Sequence, residues 1–223
     1  MKQLMIFGDS VLKGVIYDGG KYRLCQDADF SSLQEQGVQI TNRSKMGATI
    51  LDGLKILERQ TAPDVQSVAL LEYGGNDCNF DWQQVSQAPD QEHTPKVAME
   101  DFVAGYRAAI RKAKTLAGTV AVCSLMPLDP QKFMDYISQG NSYARILHWL
   151  GDVSMLFRWQ QLYSDSAMDV AREEGCLVVD ARREFMARHD FGELLCPDGI
   201  HPSAKGHRIL RDALCRKLAP AFA

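Results

Sequence analysis

Lys2-Gln3-Leu4-Met5-Ile6-Phe7-Gly8-Asp9-Ser10 is the stretch on which the fold turns. Leu4 to Phe7 is a continuous apolar run, too short for a stable helix and closed by Gly-Asp-Ser, so it reads as a strand covered on both faces. Comparable runs recur at Val38–Ile40, Val68–Leu71, Thr119–Cys123 and Cys176–Val179. Between them the apolar period changes to that of a helix: Ile50, Leu51, Leu54 and Leu57; then Phe102, Tyr106, Ala109, Ile110 and Ala113; later Ile209, Leu210, Ala213, Leu214 and Leu218. Strands alternating with helices predict a three-layer α/β/α domain around a central parallel sheet of roughly five strands, its topology restricted by right-handed crossovers. Ligands of such a sheet sit at the carboxyl ends of the strands, which is where Ser10 falls.

Two stretches exceed this minimal plan. Residues 78–95 follow the third strand and 125–142 follow the fourth; both carry prolines without a clean period and are expected to be long loops leaving the ligand edge. From Tyr143 to Glu174 the spacing is helical, with Gly151 a candidate break. No internal repeat or low-complexity linker interrupts residues 1–223, so a single domain with loop insertions is expected.

Composition narrows the function. The 223 residues are 46% hydrophobic and 24% charged, the average of a globular domain, and the net charge of −3 lacks the basic signature of a nucleic-acid or anionic-membrane partner. No apolar window is long enough for a membrane span, and the first ten residues lack the pattern of a secretory leader, so a cytoplasmic location is expected. Cys25, Cys78, Cys123, Cys176, Cys196 and Cys215 form no C-x-x-C pair and no zinc-finger spacing with histidine, which predicts free thiols and no metal site. Nothing in the sequence assigns an oligomeric state.

Four short motifs carry the chemistry. In Gly8-Asp9-Ser10 the glycine permits a sharp exit from the strand, and the serine stands where backbone N–H groups can face an oxyanion. Taken alone it is equally an ordinary turn and helix cap. In Asp198-Gly199-Ile200-His201-Pro202 the carboxylate is three residues from the imidazole, close enough to accept its Nδ1 proton and leave Nε2 to act on a hydroxyl. Its bland alternative is a capped helix start with an exposed histidine. Tyr73-Gly74-Gly75-Asn76-Asp77 leaves the third strand with a side-chain amide at the same edge, and Gly47, in Asn42-Arg43-Ser44-Lys45-Met46-Gly47, precedes a helix and can offer its N–H. His93, His148, His189 and His207 read as solvated or packing residues.

Together, and in this order at the ends of expected strands, the four blocks resemble those of the SGNH hydrolases, also called the GDSL esterase and lipase family. The resemblance spans essentially the whole chain and implies a flavodoxin-like sandwich. It also implies Ser10 as nucleophile, His201 as general base, Asp198 as its orienting carboxylate, and an oxyanion hole made of the Ser10 and Gly47 N–H groups with the Asn76 amide. The family leucine that often follows the serine directly is here Leu12, after Val11. The implied activity is hydrolysis of small carboxylic esters through an acyl-enzyme, with no metal or organic cofactor. A noncatalytic sugar- or nucleotide-binding module on the same scaffold is the competing reading, although no phosphate-cradling glycine motif is present.

The long segments supply the expectation about substrate. Asn79, Asp81, Trp82, Gln83 and Gln84 in the first, with Asp129, Gln131, Lys132, Asp135 and Tyr136 in the second, combine aromatic and hydrogen-bonding side chains. Asp81, Trp82 and Tyr136 are accordingly expected to contact substrate, and the lining to suit compact polar esters such as O-acetylated carbohydrates. The alternative is that Phe80 and Trp82 only anchor a solvated loop.

Overall fold

The computed structural model describes residues 2–26, 28–62 and 65–223. Strand β1 (Lys2–Gly8) runs into a single helical turn, α1 (Ser10–Lys13), and then into a two-stranded antiparallel hairpin of β2 (Val15–Asp18) and β3 (Lys21–Leu24). A short helix α2 (Ser31–Gln34) leads to β4 (Val38–Asn42), α3 (Ile50–Glu58) and β5 (Gln66–Glu72). After α4 (Trp82–Gln87) and α5 (Met99–Lys114) comes β6 (Thr119–Cys123). Helices α6 (Pro130–Ile137), α7 (Tyr143–Leu150) and α8 (Ser154–Glu173) precede β7 (Leu177–Val179), and α9 (Ala181–Met186) and α10 (Ala204–Leu218) complete the main elements.

The sheet has five parallel strands in the order β4-β1-β5-β6-β7, with Leu4 opposite Ile40 on one side and Val68 on the other. Side chains alternate between its faces, as the pleat requires. Leu4, Ile6, Val68 and Leu70 pack toward α9 and α10, whereas Met5, Phe7, Ala69 and Leu71 pack toward α3, α5 and α8. The runs in β1, β5 and β6 are buried on both faces, while β4 and β7 are edge strands and only half-buried. Gly151 does divide the helical stretch, in a left-handed conformation (φ 77°) between α7 and α8.

The expectation of two long loops is corrected. Segment 78–95 contains α4 and segment 125–142 contains α6, and each is started by an aspartate whose carboxylate takes two backbone N–H groups. Asp81 accepts from Gln83 and Gln84, both at 3.1 Å, and Asp129 accepts from Gln131 and Lys132 at 3.1 and 3.0 Å. These caps satisfy donors that a free helix end leaves open. With α7 and the start of α8 the two helices enclose an apolar cluster of their own, separate from the two beside the sheet. The β2–β3 hairpin was not foreseen; its two-residue tip, Gly19-Gly20, has φ of 56° and 76°, the geometry a tight hairpin turn demands. All six cysteines are unpaired, and no described helix is long and apolar enough to cross a membrane.

Candidate active site

Strand order places the site. β1 has β4 on one side and β5 on the other, so the loops after these strands diverge and leave a crevice at their carboxyl ends. Ser10 follows β1, Gly47 follows β4 and Asn76 follows β5.

Ser10 opens α1, and Asp9 caps that turn by accepting the Val11 N–H at 2.8 Å. The turn lies so close to the strand that a Cβ on Gly8 would meet Leu12 Cβ at 2.9 Å and the Glu72 carbonyl at 3.1 Å; only glycine fits. The Leu12 carbonyl at its far end receives Asn42 Nδ2 at 2.9 Å and Arg211 Nη2 at 3.0 Å, which ties the turn to β4 and α10.

His201 comes from a loop closed on itself before α10. The Cys196 N–H donates to the His201 carbonyl at 2.8 Å, and Ser203, not His201, caps α10. Asp198 is fully buried and accepts the His201 and Ile200 N–H groups on Oδ1, at 3.2 and 3.3 Å. Its Oδ2 lies 2.6 Å from His201 Nδ1, and His201 Nε2 lies 2.9 Å from Ser10 Oγ. This is a continuous chain from carboxylate through imidazole to hydroxyl, and the histidine is buried within it instead of exposed. His207, one turn into α10, is a packing residue: its Nε2 meets the Val15 carbonyl at 3.0 Å and burial pushes its pKa down to about 4.

The three expected oxyanion donors converge on the same edge but are not equally free. Gly47 adopts φ 76°, a left-handed conformation held by the Lys45–Gly8 and Ala48–Lys45 backbone bonds. Neither its N–H nor that of Ser10 meets an acceptor among the described residues. Asn76 Nδ2 lies 3.1 Å from both Asp9 Oδ2 and the Ala48 carbonyl, so donation to a substrate oxygen shares one of these bonds.

Beneath this edge three carboxyls are buried together. Burial pushes Asp9 up to about 6, although the Val11 N–H, His201 and Asn76 pull it down. Burial also raises Asp77 to about 7, against the Ile50 N–H bond at 2.9 Å. Glu72 is raised well above the usual range by burial and by the neighbouring Asp9, with Arg211 the opposing charge.

A cavity of about 440 Å³ opens onto Ser10 and His201. Trp82 and Tyr136 line it, as expected, but Asp81 does not, because its carboxylate is spent on capping α4. The polar end of Trp82 is engaged as well, since Nε1 donates to Asn79 Oδ1 at 2.7 Å. The anchoring alternative therefore describes Phe80 and Trp82 better than the polar platform. Sequence reasoning missed Tyr22. From the hairpin its ring packs edge-on to His201 at 5.3 Å between centroids, and its hydroxyl lies 2.6 Å from that of Tyr136 on α6. Asp18-Gly19-Gly20-Lys21 between two tyrosines was the available hairpin signal.

Comparison with known proteins gives the family. A family model described as the GDSL-like lipase/acylhydrolase family matches residues 6–209, from β1 to α10. The chain belongs to that family. Among relatives of this GDSL-type hydrolase, the GDSL esterase/lipase CPRD49 of Arabidopsis thaliana is 24% identical over 98% of the chain and 79% of its own length. WDL1 of Oryza sativa subsp. japonica, also a GDSL esterase/lipase, is 21% identical over 97% of the chain and 77% of its own length. The solved fold of Axe2, an acetylxylan esterase from Geobacillus stearothermophilus, superposes with a TM-score of 0.64 at 21% identity, covering 97% of this chain and 93% of that one. As a GDSL-type hydrolase the protein acts on carboxylic esters, and its α/β sandwich is the fold shared with Axe2.

Proposed function

We propose that the protein is a serine esterase that works through an acyl-enzyme, with Ser10, His201 and Asp198 as its catalytic residues. The observation that carries this reading is the unbroken hydrogen-bonded chain from Asp198 Oδ2 through His201 to Ser10 Oγ, at 2.6 and 2.9 Å. Ser10 Oγ attacks the ester carbonyl as its proton passes to His201 Nε2, and Asp198 stabilises the imidazolium that forms. Negative charge collects on the former carbonyl oxygen, against the N–H groups of Ser10 and Gly47 and the Asn76 amide. Collapse breaks the ester C–O bond, and the leaving alkoxide takes the proton from His201. Water then adds to the acyl-serine by the same route, releasing the acid and restoring the Ser10 hydroxyl. This chain's own residues supply every proton transfer in the sequence.

A noncatalytic binding module would have no use for an intact chain of this kind, and the family match adds to the enzymatic reading. The O-acetylated carbohydrate expectation has Axe2's likeness in fold in its favour, but two of the polar residues on which it was based, Asp81 and Asp129, serve as helix caps. A fluorophosphonate reagent tests the assignment: labelling is expected on the peptide containing Ser10, and to vanish in Ser10→Ala. Labelling that persists at another serine in that variant would reject it.

A further inference from the structure

The cavity beside Ser10 has a division of chemistry along its length. Asp9, Glu72, Asn76 and His201 gather at the serine end. Beyond them the wall is hydrocarbon, supplied by the segments that exceed the minimal fold. Phe80, Trp82, Phe133, Ile137, Leu150 and Leu156 belong to one packed cluster, yet each keeps 5–9% of its surface open, and all six line the cavity. The rings lock one another edge to face: Phe80 lies 4.9 Å from Trp149 and 5.6 Å from Trp82 between centroids. Such packing holds the wall in place with little freedom to collapse.

Most of the polar side chains along this wall are already engaged by the protein. Trp159 Nε1 donates to the Cys78 carbonyl at 2.9 Å, as Trp82 Nε1 does to Asn79. Gln160 bonds the Met126 carbonyl with Nε2 and receives Arg182 on Oε1, both at 2.9 Å. His93 Nε2 meets the Ala88 carbonyl at 2.9 Å. A sugar ring in this space would surrender its hydration and find few partners, which is costly, whereas a hydrocarbon loses nothing. Protein interiors rarely leave voids larger than a water molecule. An apolar cavity of roughly 150 Å³ already takes up benzene, and this one, at about 440 Å³, is near three times that.

We infer that the cavity binds an apolar branch of the ester substrate, a chain of about eight to ten carbons or a two-ring aryl group, which takes up roughly 200–250 Å³ on the benzene scale above and leaves the rest of the cavity to the ester group at Ser10, and that it does not accept a carbohydrate. The inference rests on the esterase reading for its reaction, but not for its binding. Ester hydrolysis places the carbonyl at Ser10, and the apolar branch extends along the wall of α4, α6 and α7. The acyl chain and the alcohol share this chemistry, and the experiment separates them.

Two series of esters form the test: methyl esters of straight-chain acids from acetate to hexadecanoate, and acetates of alcohols from methanol to dodecanol with benzyl and naphthyl members. In one series kcat/KM is expected to rise about two- to fourfold per methylene to about eight carbons and then fall, which identifies the half that enters. Leu156→Trp fills the wall and should lower the ratio of the eight-carbon to the two-carbon member of that series at least tenfold. Binding is read separately, because all three tryptophans of the chain, Trp82, Trp149 and Trp159, line the cavity. Octanamide added to the Ser10→Ala protein should change the intrinsic fluorescence saturably, and xylose should not. Ester hydrolysis with no rise in either series, or fastest on acetylated monosaccharides, overturns the inference and leaves the esterase reading intact. So does the absence of any fluorescence response to octanamide. A saturable response with no hydrolysis and no Ser10 labelling has the opposite result: it sinks the esterase reading and upholds the apolar site.

Discussion

Ser10 is 7% exposed, and its hydroxyl has His201 Nε2 as its partner. Ser10→Ala should therefore lower kcat by at least ~10⁴ while leaving the thermal midpoint within about 2 °C, because a small side chain with one polar contact contributes little to folding. Activity above about one per cent of the parent would exclude Ser10 as nucleophile. Asn76 is a different kind of residue, since its amide serves Asp9 and the Ala48 carbonyl in the resting protein. Asn76→Ala should lower kcat about 10²- to 10³-fold with little change in KM. It should also cost roughly 1–3 kcal/mol of stability, because two buried acceptors lose their donor. Denaturant titration beside steady-state kinetics distinguishes the roles, and lost stability with unchanged kcat would make the amide purely structural. The Asp198–His201 pair was readable because its contact is local, three residues apart. Tyr22 was not, because nothing near it in sequence indicates that it reaches His201.

Among the elements, α1 presents Ser10 and the β2–β3 hairpin sets Tyr22 against His201. Gly8→Ala would drive a methyl into Leu12 and the Glu72 carbonyl, so a loss of about 1–3 kcal/mol is expected, with a disproportionate fall in kcat as α1 moves Ser10. An unchanged unfolding midpoint would show that the turn can yield. The hairpin tests its own contact: Tyr22→Phe keeps the ring against His201 but removes the hydroxyl that faces Tyr136. KM should change more than kcat, since the link bridges the cavity mouth and not the reacting atoms. Tyr22→Ala, which removes the ring as well, should reduce kcat too; equal effects of both variants on kcat would contradict this division. Helices α4 and α6 were hidden in the sequence by their short length and by the prolines around them, Pro89 and Pro95 after the first and Pro127 and Pro130 at the start of the second. The Asp81 and Asp129 caps mark their starts, but whether an aspartate caps a helix or meets a ligand depends on backbone dihedrals that composition does not specify.

At the scale of the whole molecule, the buried carboxyls set a pH dependence of stability. Asp9 is raised to about 6 and Asp77 to about 7, with Glu72 also raised, whereas unfolded carboxyls titrate near pH 4. Between about pH 4 and 7 the folded chain holds more protons than the unfolded one, so stability falls as pH rises through that window. His207, lowered to about 4, acts in the opposite sense, losing stability as pH falls from about 6.5, but it is one group against three. The thermal midpoint should be higher near about pH 5.5 than near about pH 8, and Asp77→Asn should narrow the difference; a midpoint that climbs steadily to pH 8 would refute it. The sequence by itself determined the alternation of strand and helix, the parallel sheet and the residues at its carboxyl edge, because burial on both faces and the two backbone periods are written locally in runs of apolar residues. Strand order, and with it the crevice between β4 and β5, was decided only by packing across the sheet. Ser10 and His201 are 191 positions apart, and no local pattern sets their 2.9 Å approach. The character of the cavity belongs to the same class. Trp82 was visible as an aromatic beside polar residues, but the tertiary structure consumed its N–H on Asn79 and the Asp81 carboxylate on a helix end, leaving hydrocarbon to face the site.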